Sequence, residues 1–155
     1  MFTNKHVVVA MLVAPVLAIL AWYGVDRLIG EQPHAAKPGK AYLLIAKSNC
    51  RYDSGQCDLA NGDFEVTLRA TRIGDVRMTL ELVSKFPLQQ STIGLVESGT
   101  ERPPLPMDAT AASATRWVGE MSLPGSDESS LRLAVLAEGV TYYAEVPVTF
   151  LVLEY

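Results

Sequence analysis

The sequence predicts an all-β domain, an antiparallel, Ig-like β-sandwich of about seven strands, preceded by one N-terminal transmembrane helix. Three observations predict it. Val7 to Val25 runs for about 19 residues without a charge. From Ala41 onward, apolar residues recur at every second position. Between those runs lie clusters of Gly, Pro, Asp and Ser, and no stretch after Gly30 carries a helical period.

The span reads VVVAMLVAPVLAILAWYGV. Its length approaches the ~20 residues a helix needs to cross a hydrocarbon core. Trp22 and Tyr23 close it, where amphipathic rings favour the headgroup zone, and Asp26 and Arg27 end it. Pro15 lies mid-span, a position a lipid-embedded helix tolerates. The rival is a cleaved secretory signal. Lys5 supplies a charged start, but the run exceeds the ~7–15 residues of a signal core, and no clean small-x-small site follows. Orientation rests on less. Arg27, Lys37 and Lys40 outnumber Lys5, so flanking charge does not favour an external C-terminus. Long domains translocate with little regard for such charges, and the cysteines suit an oxidising compartment. We expect an inner-membrane, single-pass protein with a periplasmic C-terminal domain. Residues 1–28 are the cytoplasmic tip and anchor, 29–40 a Pro- and Gly-containing linker, and 41–155 the domain.

The strands follow in order. Ala41 to Lys47 is a short apolar run. Phe64, Val66, Leu68 and Ala70 alternate with polar residues, as do Val76, Met78, Leu80 and Leu82, with a turn at Ile73-Gly74-Asp75 between them. Ser91 to Glu97 forms another strand, closed by Ser98-Gly99, and Thr100 to Met107 is a proline-rich loop. Trp117, Gly119, Met121 and Leu123 alternate, then Pro124 to Ser129 turns the chain. Leu131 to Ala137 is a strand, Glu138-Gly139 a hairpin turn, and Val140 to Leu153 a long last strand. That strand aligns Tyr142, Ala144, Val146, Val148 and Phe150 on one face, and Pro147 marks an edge position or a bulge.

The net charge of −4 leaves no basic face for nucleic acid or anionic lipid. Cys50 and Cys57 are the only cysteines and flank Asp53-Ser54-Gly55, which reverses the chain. A local disulfide follows, worth about 2–3 kcal/mol for so short a loop. A redox dithiol normally takes Cys-x-x-Cys at a helix start, and a zinc site needs further ligands. The only histidines, His6 and His34, precede the domain, so a nucleophile there has no histidine base. Gly-x-Ser-x-Gly and glycine-rich phosphate loops do not occur. Asp53, Asp58, Asn61 and Asp63 make the densest polar region, but their spacing does not match an EF-hand, and turn chemistry accounts for them. Met78 and Met121 fall on inward positions, while Met107 after the proline loop is read as exposed and is a candidate Cu(I) donor. We assign no catalytic, cofactor-binding or metal residues. The candidate partner contact is Pro103, Pro104, Leu105 and Pro106, a stiff and partly apolar segment whose competing reading is a plain inter-sheet crossover.

A short anchor, a linker, then Trp117-Val118-Gly119-Glu120-Met121-Ser122-Leu123-Pro124 with Leu131 to Phe150 resembles FixH/YtkA-like membrane-anchored proteins. The resemblance covers the last strands and the layout. It implies an accessory role in haem–copper oxidase assembly, and for some YtkA-like domains copper handling. The chain departs from copper-handling relatives in having no domain histidine and no methionine cluster. We therefore expect a non-enzymatic accessory protein, with a membrane protein complex and the lipid bilayer as partners. Respiratory oxidase assembly is one version of that role, and a copper-handling metallochaperone domain is the alternative. No cofactor, nucleic acid or small-molecule substrate is expected.

Overall fold

The computed structural model describes residues 4–29 and 36–152. The chain divides into two compact units, Met1–His34 and Ala35–Tyr155.

Helix α1 spans Lys5–Ile29, 25 residues. Asn4 caps it: its carbonyl accepts from the Val7 and Val8 N–H groups, and its side-chain oxygen from the His6 N–H. Pro15 has no N–H to give, so the Met11 carbonyl lacks its usual helical donor. At 1.5 Å per residue the helix is about 37 Å long, more than a hydrocarbon core of about 30 Å. The segment Lys5–Val25 is long and apolar enough to cross a membrane or to serve as a signal sequence, and none of it is buried. Water would solvate such a surface poorly, since Leu12, Leu20 and Trp22 lie open on different sides of the helix.

The second unit is mostly β. Its strands are β1 (Ala41–Leu43), β2 (Ile45–Ala46), β3 (Gln56–Asn61), β4 (Phe64–Ile73), β5 (Arg77–Ser84) and β6 (Gln90–Glu97). They continue with β7 (Thr100–Glu101), β8 (Leu105–Pro106), β9 (Asp108–Ala109), β10 (Arg116–Ser122), β11 (Ser130–Ala137) and β12 (Val140–Pro147). Among the described residues, seven of these strands have six or more residues. They form two sheets. The first runs β1-β12-β11-β6-β7, with β8 also on β6; the second runs β2-β3-β4-β5-β10-β9. Every pairing is antiparallel except that of β1 with β12.

Inward residues of both sheets belong to one apolar core. Leu68, Leu80 and Leu82 come from the second sheet, Ile93, Leu131 and Leu133 from the first. Each such side chain contributes about 1.5–3 kcal/mol by leaving water. Phe64 of β4 stacks on Tyr142 of β12 with ring centroids 3.9 Å apart, joining the two sheets directly. Ser98-Gly99 and Glu138-Gly139 turn two hairpins with φ positive at both positions, the conformation that matches strand twist.

Several expectations need correction. Ala41 to Lys47 is not one strand. It breaks at buried Leu44, so that β1 joins the first sheet and β2 the second. Val76 does not continue the inward face of β5. It sits in the turn before the strand and is 72% exposed. The last strand stops at Pro147, and Val148–Phe150 form a 3-10 turn that still buries Val148 and Phe150. Pro147 stands at an edge position, not a bulge: it pairs with Ser130 of β11 on one side, while β1 reaches only Thr141–Tyr143 on the other, so its missing N–H interrupts no rung. Of the stretch read as linker, residues 30–35 lie outside the described residues. Residues 36–40 belong with the domain: the Gly39 N–H donates to the Gly139 carbonyl, and the Lys40 carbonyl accepts from the Thr141 N–H.

Candidate functional site

Cys50 and Cys57 are joined in a disulfide. Cys50 lies in a 3-10 turn (Ser48–Arg51) and Cys57 in β3, and both sulfur-bearing side chains are fully buried. The loop between them turns at Gly55, whose φ of +75° is one that side-chain-bearing residues rarely adopt.

The polar region nearby does not converge. Asp58 accepts from Asn49, Gln56 and Thr67, whereas Asn61 donates to the Leu43 carbonyl and Asp53 and Asp63 are exposed. Burial pushes the Asp58 carboxyl up. The bonds from Thr67, Gln56 and Asn49, with the charge of Lys47, outweigh that and hold it below its ordinary value.

The proline segment is not a free loop. Leu105 and Pro106 pair with Ile93 and Thr92 of β6, so the segment is an edge of the first sheet that then crosses to the second at β9. Prolines suit such an edge because they cannot donate to a further strand. Pro103, Pro104, Leu105 and Pro106 are all exposed, and Leu105 keeps 42% of its surface open. Met107, expected outside, is buried at the crossover. Ser91 donates to its sulfur at 3.2 Å, and it packs against Gly119, where a Cβ would come within 3.0 Å of its Cγ. The Trp-x-Gly pattern thus has a packing reason: Gly119 admits Met107, while the Trp117 indole N–H donates to the Ala114 carbonyl at 2.8 Å. Met78 and Met121 face each other across β5 and β10 and are buried too.

The solvent side of the first sheet carries a depression of about 560 Å³. One row across the strands places Leu43, Tyr143, Ala134 and Thr92 side by side. Small Ala134 and Gly94 lie between the taller Tyr143 and Leu43 on one side and Pro104 on the other. Beside this apolar strip, Arg132 reaches Glu101 at 2.6 Å and Glu145 at 2.9 Å, and Ser130 donates to Glu145 at 2.7 Å. The Ser130 hydroxyl, then Arg132, hold the Glu145 carboxyl below its ordinary value. The arrangement is an apolar strip beside charges held in pairs.

Sequence reasoning missed one further cluster. Glu81 of β5 is buried between Arg69 of β4, at 2.6 Å, and Arg116 of β10, at 2.8 Å. Its alternation placed it on the polar side. Only the register, which sets Arg69 opposite Glu81 and Arg116 two positions along from Glu81's partner Val118, reveals that two guanidinium groups cover it.

Acid should therefore weaken the domain through Asp58 and Glu145. Their folded-state pKa values are depressed, so their contribution is full above the ordinary carboxylate range. It is lost as pH falls through the lowered values. Glu145 is half exposed and contributes less in salt. Thermal melts between neutral pH and about pH 3 should show Asp58→Asn losing less stability than wild type. Equal acid slopes would remove Asp58 from the account.

No protein-family model and no curated protein matches the chain. A solved structure described as "Crystal structure of Br derivative BhCBM56" aligns with a TM-score of 0.43 and 14% identity, over 57% of this chain and 92% of its own. A TM-score of that size carries no inference about fold or ligand.

Proposed function

We propose that the chain is a non-enzymatic accessory protein held in the inner membrane by α1, with residues 41–155 as an Ig-like β-sandwich on the periplasmic side. The observation that carries this reading is the helix itself: apolar on every side, uncovered, and attached to a separate disulfide-bonded domain. The two sheets with a common core support the sandwich reading. The partner is a membrane protein complex, and assembly of a respiratory oxidase is the version the FixH/YtkA-like layout suggests. Contact runs through the proline edge, with Leu105 as its apolar anchor. The copper-handling alternative has no observation in its favour. Both cysteines are spent in the disulfide, and Met78, Met107 and Met121 are buried.

The test is co-purification of the tagged full chain in mild detergent, with Leu105→Asp beside wild type. Leu105 contributes little core, so the substitution should change stability by no more than about 0.5 kcal/mol. It should nevertheless abolish recovery of integral-membrane subunits, because it places a charge where an apolar contact was. Equal recovery by both chains would make the edge a plain connection. Recovery of soluble proteins alone would remove the membrane complex as the partner.

A further inference from the structure

We propose that the Cys50–Cys57 disulfide is a latch on the C-terminal turn, so that a dithiol reductant releases residues 148–152 while both sheets stay folded. Strand β12 is held by β11 as far as Pro147, opposite Ser130. Beyond it, among the described residues, 148–152 have no strand partner. Val148, Phe150 and Leu151 are nonetheless buried, Phe150 completely. Besides their place at the border of the apolar core, they are held by the cysteine loop and one bond from the Val148 N–H to the Ser129 carbonyl. The Gly55 N–H donates to the Phe150 carbonyl at 2.7 Å, and the Thr149 hydroxyl to the Cys50 carbonyl at 3.3 Å. Val152 lies close by as well: a Cβ added at Gly55 would be 3.9 Å from its Cγ2. The loop making these contacts lies between the two bonded cysteines. Its left-handed turn at Gly55 is costly to hold in an open chain and is fixed when the ends are tied.

The chemistry is thiol–disulfide exchange. A thiolate of the reductant attacks one sulfur, forming a mixed disulfide and expelling the other cysteine as a thiolate, which takes a proton. The reductant's second thiolate then displaces the first cysteine. Two thiols are left in the protein and a disulfide in the reductant, a two-electron exchange. Both sulfurs are completely buried, so attack waits for the loop to open. Opening and reduction are therefore linked, and each favours the other by the same factor. In an oxidising compartment the latch stays shut, and in a reducing one it opens.

Hydrogen exchange of the full chain tests this at named amides. In a Cys50→Ser, Cys57→Ser chain, the Gly55, Val148 and Leu151 amides should exchange at least about tenfold faster, while those of β11 remain as in wild type. Wild type treated with dithiothreitol under native conditions should show the same pattern, which keeps the test alive if the double variant folds poorly. Phe150→Ala should in turn shift the equilibrium with dithiothreitol at least about tenfold toward the reduced protein, because it weakens the closed turn that the bond favours. Uniform acceleration across β11 as well would make the bond a support of the whole domain. Unchanged exchange at Val148 and Leu151 would show a turn that holds itself. Either result overturns the latch.

Discussion

Phe64→Ala should cost the domain about 3–5 kcal/mol, a large part of the 5–15 kcal/mol typical of a folded domain. Phe64 is buried, lies nearly parallel to Tyr142 at 6°, and has the Phe86 ring centroid 6.3 Å from its own. The ring is a direct contact between a strand of the second sheet and a strand of the first. Alanine there removes the transfer free energy of the ring, leaves a cavity, and loses the aromatic pairing, itself about 0.5–1.5 kcal/mol. A melting temperature lower by roughly 15 °C or more follows for a domain of this size. Val76→Ala is the comparison. An inward Val76 would make that change costly too, but with 72% of its surface open it should move stability by less than about 0.5 kcal/mol. Calorimetry of both variants checks the pair. A Phe64→Ala loss under about 1 kcal/mol would mean the two sheets do not depend on that stack.

Arginine at two positions of the helix, Leu12→Arg with Val16→Arg, should move the whole chain out of the membrane. Each arginine near mid-span opposes insertion by about 2.5–3.5 kcal/mol, and Leu12 and Val16 lie one turn apart on the same side. Wild type should resist carbonate extraction and keep an alkaline phosphatase fused after Tyr155 active. The variant should be extractable, with a dark phosphatase and free Cys50 and Cys57 thiols. A wild-type chain recovered soluble and shortened at its N-terminus would instead identify α1 as a cleaved signal. An active reporter in the variant would show that the span is not what carries the domain across.

What the sequence made legible was local. The inward faces of β4, β10 and β12 follow from period-two alternation, so Phe64, Trp117 and Tyr142 lie where that period puts them. Cys50 and Cys57 are close along the chain, and a turn between them is enough to join them. Glu138-Gly139 needs only its own two positive φ angles. The rest depends on which strand lies beside which. Leu44 reads as one more residue of an apolar run, because nothing within the run says that its halves pair with different strands. The proline segment reads as loop because its rungs are made with β6, which fits two short stretches around an interruption. Met107 looked exposed because its burial depends on Gly119, in another strand. In the candidate surface, Leu105 was visible as an apolar residue between prolines. The depression beside Tyr143 was not, since it arises from a row drawn from four strands.

The two segments that pass from one sheet to the other have a consequence for how copies of this domain behave when crowded. β1 and β2 are the first members of their respective sheets and belong to one piece of chain; β8 and β9, with β7, do the same at the opposite margin. A bare margin would be a template onto which a neighbour's strand can zip, the first step of uncontrolled polymerisation. Here the margin is broken into rungs of two or three residues at one side, and at the other Pro103, Pro104 and Pro106 withhold the donors a zipper needs. Packed side by side, as tethering to a surface would pack them, the domains offer each other only short main-chain runs at these margins, the longest open one among the described residues at β10 being Gly119–Ser122 beyond β9. Where the margin is closed in this way, a neighbour is met by side chains, and a contact of that kind can be changed one residue at a time.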